Sequence, residues 1–176
     1  MILYIVRHAS AGERVADPKK DEKRPLDEQG RLQSRYVGRL LTQTENIPDV
    51  VITSPLTRAM QTASIIANEI GYEQKLEVTP ALKPAATFEQ FKTMLAAHSK
   101  ADAVMVVGHN PNLAEFVSRL LSPKGHAVEV DLRKGAVAKL DMKKSRAQLL
   151  WLITPKLVRA AHDDGKANSR PNTSRK

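Results

Sequence analysis

The segment Ile2–Gly12, ILYIVRHASAG, is the most informative part of the sequence for predicting the fold. Its residues 2–6 are five consecutive apolar residues of β-branched, aromatic and aliphatic types, which predicts a buried strand. A cation and an imidazole, Arg7 and His8, follow at once, and small residues occupy positions 9–12. A core strand that ends in two polar side chains is typical of a strand that delivers functional groups to the edge of a sheet.

Apolar strands alternate with amphipathic helices along the rest of the chain. The pattern predicts strands at 2–6, 49–53, 76–78, 103–107, 127–130, 136–140 and 148–153, and helices at 26–42, 56–70, 88–98 and 113–121. This alternation predicts an α/β fold, a three-layer α/β/α sandwich with a mostly parallel central sheet. The last strands have short polar connections, so we expect antiparallel pairing there. The charged stretch 15–24, VADPKKDEKR, is interpreted as a loop.

Length and composition predict one domain over residues 1–160, followed by a basic polar tail at 161–176. The chain has no cysteine, which excludes disulfides and thiolate-ligated metal sites. Its first residues do not have the pattern of a signal peptide, and no apolar run reaches membrane-spanning length. We therefore expect a soluble, cytoplasmic protein that does not associate with membranes.

The formal net charge of +9 raises the question of nucleic-acid binding. Residues 156–176 hold six Lys and Arg against two Asp and Glu, so nearly half of the excess positive charge lies in these last 21 residues. Three Phe, three Tyr and one Trp are too few for an obvious base-stacking platform. The composition argues against nucleic acid as a partner, while the positive field would still attract an anionic substrate or an acidic protein surface.

Polar side chains follow three of the predicted strands. Arg7 and His8 end the first strand, Arg58 lies one turn into the helix that follows residues 49–53, and His109 comes directly after residues 103–107. Ligands of open α/β sheets bind outside the carboxyl ends of the strands, and parallel strands place these ends at one edge. The four side chains are therefore expected to converge, although each one taken singly also has a structural interpretation.

Two of these strand ends have the sequence of a helix N-terminus. Ser54 and Asn110 suit the N-cap position, and a proline follows each of them at the predicted first helical residue. Free backbone N–H groups at a helix start favour an anion. Arginines add planar donors that match phosphate oxygens, whereas a zinc site needs three or four ligands and avoids such cations. The pattern predicts a phosphate pocket that includes Ser54 and Asn110, and no metal site.

The motifs resemble those of the histidine phosphatase superfamily. YIVRHASA at 4–11 resembles its RHG-type signature, SPLTRAMQTA at 54–63 its second block and VVGHNPNL at 106–113 its third. RPLDEQG at 24–30 is similar to a block of the short phosphohistidine phosphatases of the SixA-like branch. The resemblance covers about residues 1–155 and implies the phosphoglycerate mutase-like fold.

The resemblance also implies roles for individual residues. His8 would be the nucleophile that carries the phosphoryl group as a transient phosphohistidine. Arg7 and Arg58 would clamp the phosphoryl oxygens, and His109 would complete the pocket. Arg24 would bind substrate from a loop that folds over the pocket. No metal ion or other cofactor is expected, since the arginines supply the positive charge.

Two departures from the family pattern bear on the substrate. Ala9 stands where the superfamily usually has glycine, and no carboxylate lies between Glu77 and Glu89, where many members place a general acid. The missing acid favours a phosphohistidine protein, such as a histidine phosphorelay domain, over simple alkyl phosphates. A phosphatase for small phosphoesters and a non-catalytic phospho-ligand binding module remain as alternatives. The remaining histidines are assigned structural or surface positions: His98, His126 and His162.

Overall fold

The computed structural model describes residues 1–43, 47–123, 125, 128–143 and 146–160. Six strands form one sheet: β1 (Ile2–Arg7), β2 (Val50–Thr53), β3 (Glu77–Val78), β4 (Ala103–Gly108), β5 (Val137–Met142) and β6 (Ala147–Ile153). The α-helices are α1 (Pro18–Glu22), α2 (Glu28–Leu41), α3 (Thr57–Glu69), α4 (Phe88–Ala97) and α5 (Asn112–Leu121). A 3₁₀ helix spans Pro80–Leu82, and residues 155–160 are helical.

The strand order is β3-β2-β4-β1-β5-β6. The first four of these strands are parallel, whereas β5 is antiparallel to both β1 and β6. Strand β1 is paired on both sides, by β4 and by β5, which accounts for its continuous apolar sequence. The predicted α/β fold, with its mostly parallel sheet and antiparallel closing strands, is confirmed.

Side chains of β1 alternate between two apolar clusters on opposite faces of the sheet. Leu3 and Ile5 pack in a cluster that includes the buried Phe91 of α4 and Phe116 of α5. Tyr4 and Val6 belong to a second cluster, which contains apolar residues of α2 and α3. Because both faces are covered by helices, the fold is the predicted three-layer sandwich.

Two local predictions are wrong. The segment interpreted as a loop contains helix α1, in which Pro18 occupies the first turn and the Asp17 side chain accepts hydrogen bonds from two backbone N–H groups. Helix α1 buries no residue, so it produces no apolar periodicity. The strand predicted at 127–130 does not form over 128–130, where Val128 and Glu129 are exposed and no apolar face is buried.

Several earlier expectations concern residues outside the described part of the chain. These are residue 127, the tail at 161–176, His126 and His162. Within the described residues, no helix has the length and apolar character needed to cross a membrane.

Candidate active site

The carboxyl ends of β1, β2 and β4 meet at one edge of the sheet. The backbone N–H of His8 donates to the Gly108 carbonyl at 2.9 Å, and the N–H of Ser54 donates to the Val107 carbonyl at 2.9 Å. The ring centroids of His8 and His109 lie 4.9 Å apart, with 55° between the ring planes. The parallel register thus places residues 8, 54 and 109 around one point.

The His8 ring has a defined tautomer. Its Nδ1 lies 2.8 Å from the Ala9 carbonyl oxygen, which can only accept a hydrogen bond. Nδ1 therefore carries the proton, and Nε2 keeps its lone pair. Burial, together with the charges of Arg58, Arg7 and Lys134 and against the opposing effect of the hydrogen bond to Ala9, lowers the pKa of His8 from 6.5 to about 3. His8 is neutral near pH 7 and presents an unprotonated nitrogen.

The His109 side chain is buried, as is that of His8. Its Nε2 lies 2.9 Å from Ser54 Oγ, and its Nδ1 is buried without a hydrogen-bond partner among the described residues. Burial, followed by the proximity of His8 and of Arg58, lowers the pKa of His109 to about 2. The second imidazole of the site is therefore also uncharged at neutral pH.

Both arginines are held at one end and unpartnered at Nε. Arg7 Nη1 donates to the Leu132 carbonyl at 3.0 Å, and Arg58 Nη1 donates to the Asp21 backbone carbonyl at 2.8 Å. The Nε atoms of Arg7 and Arg58 are buried and have no partner within the described ranges. Burial lowers the pKa of both guanidiniums, which nevertheless stay protonated in proteins. Buried donors without partners are rare, and here their position suits an incoming oxyanion.

Ser54 and Asn110 lie in the site but do not cap the helices that follow them, so this part of the prediction is wrong. The N-cap residues are Leu56 for α3 and Pro111 for α5, and neither makes a side-chain cap hydrogen bond. The Ser54 hydroxyl is directed to His109. Asn110 Nδ2 donates to the Leu132 carbonyl at 2.9 Å, and its Oδ1 is buried without a partner among the described residues. Ser54 Oγ also accepts from Leu56 N at 3.4 Å, so its shorter contact is the tertiary one with His109.

Arg24 contacts the loop after His8. Its Nη1 donates to the Ala11 carbonyl at 2.6 Å and lies 3.3 Å from the Gly12 carbonyl, while its Nε pairs with Asp21 at 2.8 Å. The segment around Arg24 does fold toward the pocket, since Asp21 reaches Arg58. The described contacts of Arg24, however, are with protein groups that shape the loop.

The RPLDEQG block packs against the same loop. Asp27 Oδ2 accepts from Ser10 Oγ at 2.6 Å and from Gly12 N at 2.8 Å, and Asp27 Oδ1 accepts from Gly30 N at 2.7 Å. These hydrogen bonds outweigh the effect of burial and lower the pKa of Asp27. A Cβ atom on Gly30 would overlap the Ser10 carbonyl oxygen. Asp27 and Gly30 therefore fix the backbone of the loop that follows His8.

Three groups near the site have no motif that singles them out in the sequence. Asp21 contacts Arg58, the Leu132 carbonyl holds two side chains, and Lys134 lies beside Gly135, whose N–H donates to the His8 carbonyl at 3.1 Å. Asp21 has a weak local signal, because it stands three residues before Arg24 in a short helix. A backbone carbonyl gives no sequence signal at all.

Across the described ranges, no group of three or more His, Asp or Glu side chains is arranged to hold a metal ion. The polar groups that do converge are two imidazoles and two guanidiniums, a donor set suited to an oxyanion.

The chain is similar to known phosphatases in sequence and in structure. The model of the histidine phosphatase superfamily (branch 1) matches residues 3–86. An uncharacterized protein of Picosynechococcus sp. is 34% identical over 166 residues, which cover 89% of this chain and 98% of that protein. The phosphohistidine phosphatase SixA of Escherichia coli K12 is 28% identical over 122 residues, 68% of this chain and 74% of that protein. A structure of the protein histidine phosphatase SixA complexed with tungstate has a TM-score of 0.80 at 25% identity and covers 90% of this chain and 99% of that chain. The chain belongs to the histidine phosphatase superfamily and is similar to its SixA members.

Proposed function

We propose that this phosphatase transfers a phosphoryl group from a phosphohistidine on a protein to His8 Nε2, and then to water. The observation that carries the proposal is the His8 tautomer. The Ala9 carbonyl fixes the proton on Nδ1 and leaves the Nε2 lone pair free at the edge where the other basic groups converge.

The other residues of the site support this chemistry. Arg7 and Arg58 have buried Nε donors that can bind phosphoryl oxygens and stabilise their charge in the transition state. His109, held by Ser54, offers its buried Nδ1 to the same group. Two guanidiniums supply the positive charge, so the proposal needs no metal ion.

Three further residues are assigned positioning roles within the proposal. Ser54 orients His109, and Asn110 shares the Leu132 carbonyl with Arg7. Arg24 binds the carbonyls of the loop that follows His8. Each of these contacts restrains a group that would touch the phosphoryl moiety.

The reaction proceeds in two displacements. In the first, His8 Nε2 forms a bond to phosphorus while the bond to the substrate imidazole nitrogen breaks, and the departing ring takes a proton from water. In the second, a water molecule attacks phosphorus, loses a proton to solvent and releases inorganic phosphate, which regenerates His8. The intermediate is a phosphoramidate on His8.

The nearby carboxylates favour phosphohistidine as substrate. Arg24 donates a hydrogen bond to Asp21 and lowers its pKa to about 2, so Asp21 has no proton to donate at neutral pH. The segment between Glu77 and Glu89, where many superfamily members place a general acid, contains no carboxylate. An alkoxide leaving group needs such an acid, whereas transfer between two imidazole nitrogens exchanges chemically similar bonds. A histidine phosphorelay domain is the kind of protein that would carry this substrate.

The proposal is tested by comparing three substrates: a phosphohistidine protein, a sugar phosphate and para-nitrophenyl phosphate. We expect kcat/KM for the phosphohistidine protein to exceed that for the sugar phosphate by about a hundredfold or more, because no general acid assists the alkoxide. Turnover is expected to be the same in the presence of EDTA.

The role of His8 is tested with His8→Ala and a matched control, His98→Ala, since His98 pairs with Glu77 away from the pocket. We expect no turnover by His8→Ala and no phosphoryl group trapped on it after denaturation in alkali, where phosphohistidine survives. Normal turnover by His8→Ala would rule out His8 as the nucleophile. Faster hydrolysis of the sugar phosphate would instead identify a phosphatase for small phosphoesters.

A further inference from the structure

Asp21 of helix α1 connects the two arginines that border the pocket on that side. Arg58 Nη1 donates to the Asp21 backbone carbonyl at 2.8 Å and lies 3.4 Å from the carboxylate Oδ2. The other carboxylate oxygen, Oδ1, accepts from Arg24 Nε at 2.8 Å and from Val15 N at 3.1 Å. One residue thus holds a buried guanidinium through two atoms while it is itself held by two neighbours.

These contacts determine which edge of Arg58 is available. A guanidinium is planar and presents its N–H groups in a fixed fork. With Nη1 bound to Asp21, the Nε–H remains buried and without a partner among the described residues. Arg7 is held in the same manner, but by the Leu132 carbonyl. Asp21 therefore holds Nη1 of Arg58 through its backbone carbonyl, as the Leu132 carbonyl holds Nη1 of Arg7, and its carboxylate adds a second contact.

The charge of Asp21 argues against a purely electrostatic role. A carboxylate beside an anion pocket repels the phosphoryl group, so charge alone would make its removal favourable for phosphate binding. The carboxylate is ionised at neutral pH and cannot act as a proton donor there. If Asp21 instead orients Arg58, its removal weakens phosphate binding, because the Arg58 donor is then misplaced.

We propose that Asp21 is a positioning residue that orients Arg58 toward a phosphoryl group bound at His8. This inference rests on the proposed function, and it adds a residue that touches neither phosphorus nor its oxygens. The Asp21 contacts with Arg58, Arg24 and Val15 carry it.

The test compares Asp21→Asn with Glu22→Gln. Glu22 is the next residue of α1, and its carboxylate, 56% exposed, lies 3.4 Å from Lys83 Nζ. Both variants remove one negative charge from the same helix, but only the first alters the contact with Arg58. Helix α1 buries no residue, so we expect both proteins to fold, which thermal unfolding checks.

With para-nitrophenyl phosphate as substrate, we expect kcat of Asp21→Asn to fall about tenfold to a hundredfold, with a smaller change in KM. Glu22→Gln is expected to stay within about twofold of the unsubstituted enzyme, because the charge it loses lies at the surface. Asp21→Glu, which keeps the charge, is expected to recover part of the lost kcat. In a His8→Ala background, calorimetry should show weaker binding of inorganic phosphate to Asp21→Asn than to Glu22→Gln.

The inference is overturned if both variants bind phosphate equally well or if Asp21→Asn retains full kcat. Failure of the proposed function has a different signature. In that case the unsubstituted enzyme turns over no phosphoryl substrate, and phosphate calorimetry alone decides whether Asp21 orients Arg58 at an anion site.

Discussion

Two polar clusters, one around the half-buried Asp27 and one around the buried His8, lie on either side of the loop that follows His8, and they differ in how their hydrogen bonds are completed. Around Asp27, the carboxylate accepts from Ser10, Gly12 and Gly30. Around His8, by contrast, buried polar atoms remain without partners among the described residues: Arg7 Nε, Arg58 Nε, His109 Nδ1 and Asn110 Oδ1.

This difference separates stability from function. A half-buried carboxylate with all its hydrogen bonds made, such as Asp27, contributes to the free energy of unfolding, because its donors would otherwise lose their acceptor. A cluster with unpaired donors and neutralised imidazoles costs stability in the free protein, and a ligand that completes the bonds offsets that cost. The loop between them thus has one side that fixes its backbone and one side whose donors the proposed phosphoryl group would occupy.

The largest expected effect is the loss of stability on acidification. His8 and His109 have lowered pKa values in the folded state, so the unfolded chain binds more protons as the pH falls below 6.5. The free energy of unfolding is therefore expected to fall from pH 6.5 toward pH 3, by roughly 2 kcal/mol per histidine between pH 7 and pH 5. Urea unfolding at several pH values measures this slope.

The double variant His8→Gln, His109→Gln serves as the control for that slope. Its stability should vary much less between pH 7 and pH 5, because the Asp27 cluster stays ionised throughout this range. An unchanged slope in the double variant would show that the pocket histidines are not the groups that titrate.

A second prediction concerns Arg58→Gln, which should separate catalysis from stability. We expect kcat/KM to fall about a hundredfold to a thousandfold, as for loss of one transition-state donor. The free energy of unfolding is expected to stay constant or rise, since a buried cation with an unpaired Nε is removed.

Arg119→Gln is the matched control, because this arginine is exposed and pairs with Glu115 at 2.8 Å. It should change neither activity nor stability by much. A loss of more than about 2 kcal/mol of stability in Arg58→Gln, with catalysis intact, would reverse the assignment of the two clusters.

The smallest of these effects is expected for Asp27→Ala. It leaves Ser10 Oγ and two backbone N–H groups without their acceptor, at a cost of about 2–3 kcal/mol in the free energy of unfolding. The folded variant should retain kcat within about tenfold, because Asp27 contacts the loop and not the imidazole. Chemical unfolding and kinetics at pH 7 measure both quantities.

Exposed Asp102 provides the control, and Asp102→Ala should leave stability unchanged. If Asp27→Ala abolished turnover without loss of stability, the cluster around Asp27 would belong to the reaction and the contrast between the two sides would fail.

Much of the fold could be predicted because β1, β2 and β4 are uniform apolar runs with polar residues directly after them. A buried parallel strand needs that composition, and parallel strands align their carboxyl ends whatever the helices between them contain. The missed helix α1 has no buried face, so its only local signals were the cap Asp17 and the following Pro18. The strand predicted at 127–130 fails over 128–130 because Val128 and Glu129 stay exposed there, and a local apolar pattern does not report whether its side chains will be buried.

The roles of Arg24 and Ser54 could not be predicted for a related reason. Arg24 stands in a charged stretch beside the pocket, and only the chain path shows that its donors are used by the Ala11 and Gly12 carbonyls. Ser54 has the local sequence of an N-cap, but α3 begins three residues later and His109 takes the hydroxyl.

The sheet, the edge that holds the candidate site and the four basic side chains that gather there could all be predicted from the amino-acid sequence, because they follow from strand periodicity and from position at strand ends. Which atoms of those side chains lack a partner among the described residues depends on the folded chain. The proton on His8 Nδ1 depends on the Ala9 carbonyl, and Leu132 and Asp21 bind Nη1 of Arg7 and Arg58 and leave each Nε without a described partner. The arginine contacts join residues distant along the chain, and hydrogen bonds of that kind leave no periodic trace in the sequence.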